Sequence, residues 1–237
     1  MRRDCLILGA LLAAALPVAA ARAQRAPAPA AVVARVQTTL DAATRDSVEA
    51  IAAEARGRGL PAEPLYTKAL EGAEKGADGA RIQAVVRAMF DRLETARAAL
   101  APSVSDAELV AGADALAVHV PAATLRQMRA LSPGRSTAVP LGVLAQLVSR
   151  GVPVRKATDA VRALLARGGG SQQLLALERS VTDDIAIGMT PDAALDMRSR
   201  AMIMAAPAAP GASGTTNTDA ATLSSTGSSG NNGRGKP

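Results

Sequence analysis

Apolar residues recur three and four positions apart over most of residues 32–204, and that spacing predicts helices. The clearest is 78–100. Ile82, Val85, Val86, Met89, Leu93, Ala96 and Leu100 fall on one stripe, while Arg81, Arg87, Asp91, Arg92, Glu94 and Arg97 fall mostly elsewhere. This is the pattern of an amphipathic helix with one buried face, and Asp78 stands where an N-cap is needed. Upstream, Val48, Ile51 and Ala52 mark a helix over about 32–56, with a weak point at Asp46-Ser47. Downstream, Ser105-Asp106-Ala107-Glu108 reads as a capping box opening a helix to about Val118. A short helix to Leu131 ends at Ser132-Pro133-Gly134, and Pro140–Arg150 forms the next. Val154, Ala157, Val161, Leu164 and Leu165 then share a face, up to Gly168-Gly169-Gly170. Ser171 is the expected cap of a helix carrying Leu174, Leu177, Val181 and Ile185, which stops at Gly188. Thr190 and Pro191 are the expected N-cap and first residue of the last helix.

The punctuation between these helices repeats. Gly59-Leu60-Pro61 follows one helix. Glycine reaches positive φ just past a helix end, and the residue before a proline is pushed out of the α region. Pro64 allows a restart in a first helical turn, so a short helix carrying Leu65, Ala69 and Leu70 should end at Gly76. His119-Val120-Pro121 and Gly151-Val152-Pro153 echo the same order, and His119 falls at a helix end. The prolines at 61, 121, 153 and 191 are spaced 60, 32 and 38 residues apart, too unevenly for a regular solenoid. The expected fold is all-α, an irregular array or bundle of short helical hairpins punctuated by Gly-x-Pro turns. The stretch GRGLPAEPLYTKALEGAEKG, residues 57–76, resembles a module of uncharacterised, exported, alanine-rich bacterial proteins, GLPxEPLxxKALEGxxKG. The resemblance covers only about twenty residues. It implies export and a helical hairpin, and it carries no activity or functional residue.

The ends of the chain read differently from its middle. Arg2 and Arg3, the apolar run Leu6–Ala15 and Ala21-Arg22-Ala23 have the order of a secretory signal peptide, residues 1–23, with cleavage expected after Ala23. A proline-marked flexible leader over 24–31 and a helical domain over 32–205 follow. Residues 206–237 are Ala, Pro, Gly, Ser, Thr and Asn with almost no large apolar side chain, and are expected to form a disordered tail. The resulting location is the periplasm or the exterior. The one cysteine, Cys5, lies in the signal segment, so the mature chain has no thiol for disulfides, metal ligation or nucleophilic attack. With one Phe, one Tyr, no Trp and abundant alanine, the core is expected to be thin.

Charge is unevenly spread. Residues 41–118 carry 9 basic against 13 acidic side chains, residues 119–179 carry 9 against 2, and residues 180–204 carry 2 against 4. A basic segment attracts anionic partners, and arginine, which outnumbers lysine 23 to 4, suits oxyanions. The same arginine excess follows from a GC-rich coding sequence, and ordinary solvated helix faces would account for the segments. The residues expected to contact an anionic partner are Arg126, Arg129, Arg150, Arg155, Lys156 and Arg162. Nucleic acid is disfavoured, because export removes the target and stacking aromatics are lacking.

No enzyme motif emerges. His119 is the single histidine, so multi-histidine zinc sites are excluded by count. No G-x-S-x-G elbow marks a nucleophile, and Gly168–Gly170 lacks the lysine of a phosphate loop. Asp183 and Asp184 point about 100° apart on a helix and read as a solvated acidic patch. Asp192 and Asp196 share a face, Asp192 favourably placed at a helix N-terminus. Met189, Met197, Met202 and Met204 read as packing residues rather than a soft-metal site. The reading is an exported helical binding or scaffolding protein of the cell envelope without cofactor, its partner an anionic component or a protein. The alternatives are an envelope enzyme with a carboxylate pair acting, for example, on wall glycan, and a structural protein that self-assembles acidic part to basic part.

Overall fold

The computed structural model describes residues 29–102 and 104–205, which form ten helices and no strand. The segments expected to be a signal peptide and a C-terminal tail, and most of the expected leader, lie outside the described residues. The helices are α1 (Pro29–Thr39), α2 (Ala42–Gly57), α3 (Glu63–Glu74), α4 (Gly79–Leu100) and α5 (Asp106–Ala117), then α6 (Ala122–Leu131), α7 (Ala138–Ser149), α8 (Val154–Ala166), α9 (Ser171–Ala186) and α10 (Pro191–Ala205). They divide into two compact units. Among the described residues, unit 1 runs to Ala117 and takes in 121–125; unit 2 holds 118–120 and everything from Arg126 onward.

In unit 1, α4 is the central element and packs on α2, α3 and α5, while α1 and α2 flank α3. The α4 stripe enters the core as its spacing requires, except that Val85 faces solvent and Phe90 takes a place in the interior. Val48, Ile51, Leu65, Tyr66 and Leu70 pack with it. In unit 2, α7, α8, α10 and α9 close a ring, each packing on the next, with an aliphatic interior centred on Leu144, Leu147, Val161, Leu164, Leu174 and Leu177.

The helix ends explain the repeated punctuation. After α2, Gly59 has φ +68°, its N–H donates to the Arg56 carbonyl, and the Leu60 N–H donates to the Ala55 carbonyl. This double bond pattern is the Schellman motif. It recurs after α3 at Gly76, after α7 at Gly151, after α8 at Gly168 and after α9 at Gly188. The residue following the left-handed position is a plug: Leu60, Val120 and Val152 are 4, 1 and 2 % exposed. Proline then prevents the helix from continuing. So the tripeptide Gly-Leu-Pro encodes, in order, the reversal, the buried anchor and the stop.

His119 occupies the reversal position after α5 with φ 67°, the one non-glycine described residue at positive φ. Left-handed backbone costs an L-residue about 1–2 kcal/mol, partly offset in glycine by its larger unfolded-state entropy. His119→Gly is therefore expected to stabilise by about 0.5–1 kcal/mol, read as a rise in the urea midpoint at constant slope. A lower midpoint would mean the imidazole makes a compensating contact.

Three local expectations are corrected. The break in the first helical stretch falls at Leu40-Asp41 rather than Asp46-Ser47, because the Asp41 carboxylate accepts from the Thr44 N–H at 3.0 Å and caps α2. Asp46 and Ser47 lie within that helix, where the Ser47 hydroxyl donates to the Ala43 carbonyl at 3.0 Å. Helix α9 is capped at Gly170, whose N–H donates to Gln173 Oε1 at 2.8 Å, so Ser171 is its first residue and not its cap. Helix α1 starts at Pro29, inside the expected leader.

Candidate functional site

All six expected contact residues lie in unit 2, but they are not equivalent. Lys156, on α8, donates to Asp192 Oδ2 at 2.7 Å and to Asp196 Oδ2 at 2.9 Å, both on α10. These two carboxylates hold the ammonium pKa above its ordinary value, Asp192 contributing more than Asp196. Lys156 is thus committed to fastening α10 onto α8. Arg162 lies 3.6 Å from Asp159, three residues earlier on α8. Arg129 is half-buried and already engaged. Arg126, Arg150 and Arg155 are exposed, and no carboxylate among the described residues pairs with them. Arg150 and Arg155 flank the Gly151–Pro153 turn.

The position of Arg150 has a structural cause as well. It is the C-cap of α7, as Arg58, Lys75 and Arg167 are of α2, α3 and α8. A cation there faces the negative end of the helix dipole. The dipeptide Arg-Gly or Lys-Gly was the sequence signal for this, and it separates part of the arginine excess from any binding role.

One acidic group of unit 2 lies inside it. Asp184, expected to lie in a solvated patch, is buried. Arg198 Nε and Nη2 donate to its two oxygens, each at 2.6 Å, joining α10 to α9. The guanidinium holds the Asp184 carboxyl below its ordinary value of 3.8. A depressed carboxylate stabilises the fold above its unfolded pKa and loses that contribution as pH falls through the lowered one. The attachment of α10 to α9 should therefore hold above about pH 4 and weaken below it, seen as faster amide exchange in α10 with α7 unchanged. Equal exchange in both helices would show that this pair does not govern the attachment.

Asp192 and Asp196 do converge, as their spacing implied, but around Lys156 rather than on a shared proton. The space beside Lys156 and Asp196 is about 280 Å³. Of the four methionines expected to pack, Met197 and Met204 are instead 45 and 85 % exposed, because α10 buries Ala194 and Leu195 and turns its opposite side to solvent.

Sequence reasoning missed a feature of unit 1. A cavity of about 580 Å³ lies between α3, α4 and α5. Lys68, Lys75, Arg81 and Arg92 stand around it, with Glu71, Asp78 and Asp114. Two of the acids have assigned partners. Glu71 accepts from Lys68 Nζ at 2.8 Å, and Asp78 caps α4 by accepting from the Arg81 N–H at 2.7 Å. Burial pushes the Asp114 carboxyl up, against the opposing pull of Lys68 and Arg92. The Arg92 Nε is buried and makes no hydrogen bond among the described residues. These groups come from three helices at sequence separations of up to 46 residues, so no local pattern announced them.

Among the described residues no helix is long and apolar enough to cross a membrane, and no group of three or more His, Cys, Asp and Glu side chains is placed to hold a metal ion. Compared with protein-family models, with curated proteins and with solved structures, the chain matches none, so its function is argued from its own residues.

Proposed function

We propose that the protein is an exported, non-enzymatic helical binding element of the cell envelope, and that unit 2 contacts an anionic partner through Arg126, Arg150 and Arg155. The observation that carries this reading is the disposition of charge. Asp184, Asp192 and Asp196 are consumed by Arg198 and Lys156, and Asp159 lies beside Arg162, while the three exposed arginines have no carboxylate partner among the described residues. The described residues of unit 2 carry 11 basic against 6 acidic side chains, Asp183 among the exposed acids, so the unit is net positive. Guanidinium groups in that state suit phosphate or carboxylate oxygens. Lys156 is withdrawn from the contact set by its two aspartates.

Export rests on the order of charge, apolar run and small residues at the start of the chain, and secretion of a tagged full-length chain tests it. Contact with an anionic surface is tested by co-sedimentation with vesicles of phosphatidylglycerol against phosphatidylcholine. Binding should appear at low salt on the anionic vesicles and fade by 0.5 M salt, since exposed charges are screened. Reversing the three residues, Arg126→Glu, Arg150→Glu and Arg155→Glu, should abolish it and leave the helical signal intact. Salt-independent binding, or none at low salt, refutes the contact.

A further inference from the structure

The cavity of unit 1 collects more charge than packing and capping require: Lys75 caps α3 and Asp78 caps α4, but Lys68, Arg81, Arg92 and Asp114 have no such role. Packing alone would line the junction of α3, α4 and α5 with apolar or small residues. Ile82 and Gly72 do meet there, and a Cβ placed on Gly72 would come within 2.9 Å of Ile82 Cγ1. Beside that apolar floor the cavity collects four cations. Only Lys68 is paired, at 2.8 Å to Glu71. Lys75, Arg81 and Arg92 have no carboxylate hydrogen-bonded to them among the described residues. The buried, unbonded Nε of Arg92 is a second, independent sign of an incomplete site. A buried donor without an acceptor costs free energy, and structures retain few of them. Asp114 is the remaining acid, and burial pushes its carboxyl up against the opposing pull of Lys68 and Arg92. Volumes of about 300–1,000 Å³ are typical of small-molecule sites.

We infer that the cavity between α3, α4 and α5 is a binding site for a small organic oxyanion, its phosphate or carboxylate group held by Arg92, Arg81 and Lys75 and its short apolar body lying against Val85 over the buried Ile82. This site is separate from the arginines of unit 2 and stands or falls without them.

The test is a titration of the isotopically labelled full-length chain, followed by the amide signals of Gly72, Gly76, Ala77 and Ala117. The three probes are inorganic phosphate, glycerol 3-phosphate and butyrate. The expected result is saturable shifts with glycerol 3-phosphate or butyrate, and the tighter of the two identifies the headgroup. Affinity should drop at least tenfold in Arg92→Gln. The same drop is expected in the double variant Lys75→Gln, Arg81→Gln, whose residues are exposed and whose replacement leaves the core intact. The variant with Arg126, Arg150 and Arg155 reversed should bind as the wild type does. The inference is overturned by shifts that do not saturate with any probe, or by saturation that both glutamine variants leave unchanged. Inorganic phosphate binding as tightly as the organic probes also overturns the assignment, because the apolar floor would then contribute nothing.

Discussion

Phe90→Ala is expected to lower the stability of unit 1 by about 3–5 kcal/mol, the range for emptying a phenylalanine-sized space in a core. Phe90 is 2 % exposed and is the largest side chain buried so completely among the described residues. It also anchors a polar layer. The guanidinium carbons of Arg58 and Arg87 sit 5.2 and 5.1 Å from its ring centre. Those two arginines are bound to carboxylates as well: Arg87 donates to Glu54 at 2.7 Å, and Arg58 donates to Glu54 at 2.7 Å and to Glu94. The ring therefore supports both the apolar interior and the charged cover joining α2 to α4. Phe90→Leu keeps most of the volume and should cost below about 1.5 kcal/mol. Urea unfolding followed by far-ultraviolet circular dichroism separates the two, and a loss below about 1 kcal/mol for the alanine variant would show that α4 relaxes into the space.

Gly112→Leu is expected to be destabilising by about 2 kcal/mol or more, although leucine is the better helix former. Gly112 sits where α5 crosses α4, and a Cβ there would lie 3.0 Å from Ala96 Cβ, 3.2 Å from Leu100 Cδ1 and 3.3 Å from Leu125 Cδ2. The Ala96 methyl cannot rotate away. Helix propensity returns about 1 kcal/mol on replacing an interior glycine, whereas forcing extra methylenes into a packed contact costs about 1–3 kcal/mol and occasionally more. Gly142 is the control. It lies within α7 with open space around its Cβ position, so Gly142→Ala should gain about 1 kcal/mol. A gain in both variants would show that propensity, and not the α4–α5 approach, decides.

The order of helices was legible because leucine, isoleucine and valine spacing carries the period and glycine, proline and cap residues carry the ends. The Ser105–Glu108 box formed as read, with the Glu108 N–H donating to Ser105 Oγ at 3.3 Å and the Ser105 N–H donating to Glu108 Oε2 at 3.0 Å. The Asp41 cap was equally local and equally strong, but Asp46-Ser47 offered a more polar pair and drew the break to the wrong place. What did not read out was long-range. The partners of Lys156 lie 36 and 40 residues away, and that of Asp184 lies 14 away on the next helix. Sign and spacing alone made Lys156 look free and Asp184 look solvated. The exposure of Met197 and the cavity of unit 1 depend on how whole helices pack, which a one-dimensional period does not specify.

Tyr66 gives the molecule a property beyond its packing. It is the one tyrosine, there is no tryptophan, and unit 2 contains no Phe, Tyr or Trp. Any near-ultraviolet absorption or emission thus comes from unit 1 alone, and unit 2 is spectroscopically silent above 270 nm. The Tyr66 hydroxyl donates to Glu49 Oε2 at 2.6 Å and accepts from Arg56 Nη1 at 2.9 Å. Burial, reinforced by Glu49, pushes the phenol from 10.0 up to about 12. Tyrosinate absorbance at 295 nm consequently follows the state of α2 and α3: an unfolded chain brightens around pH 10, while the folded chain stays mostly dark until pH nears 12. The contribution of the neutral phenol to stability is present below pH 10 and lost as pH rises through 12, and the chromophore itself reports that loss.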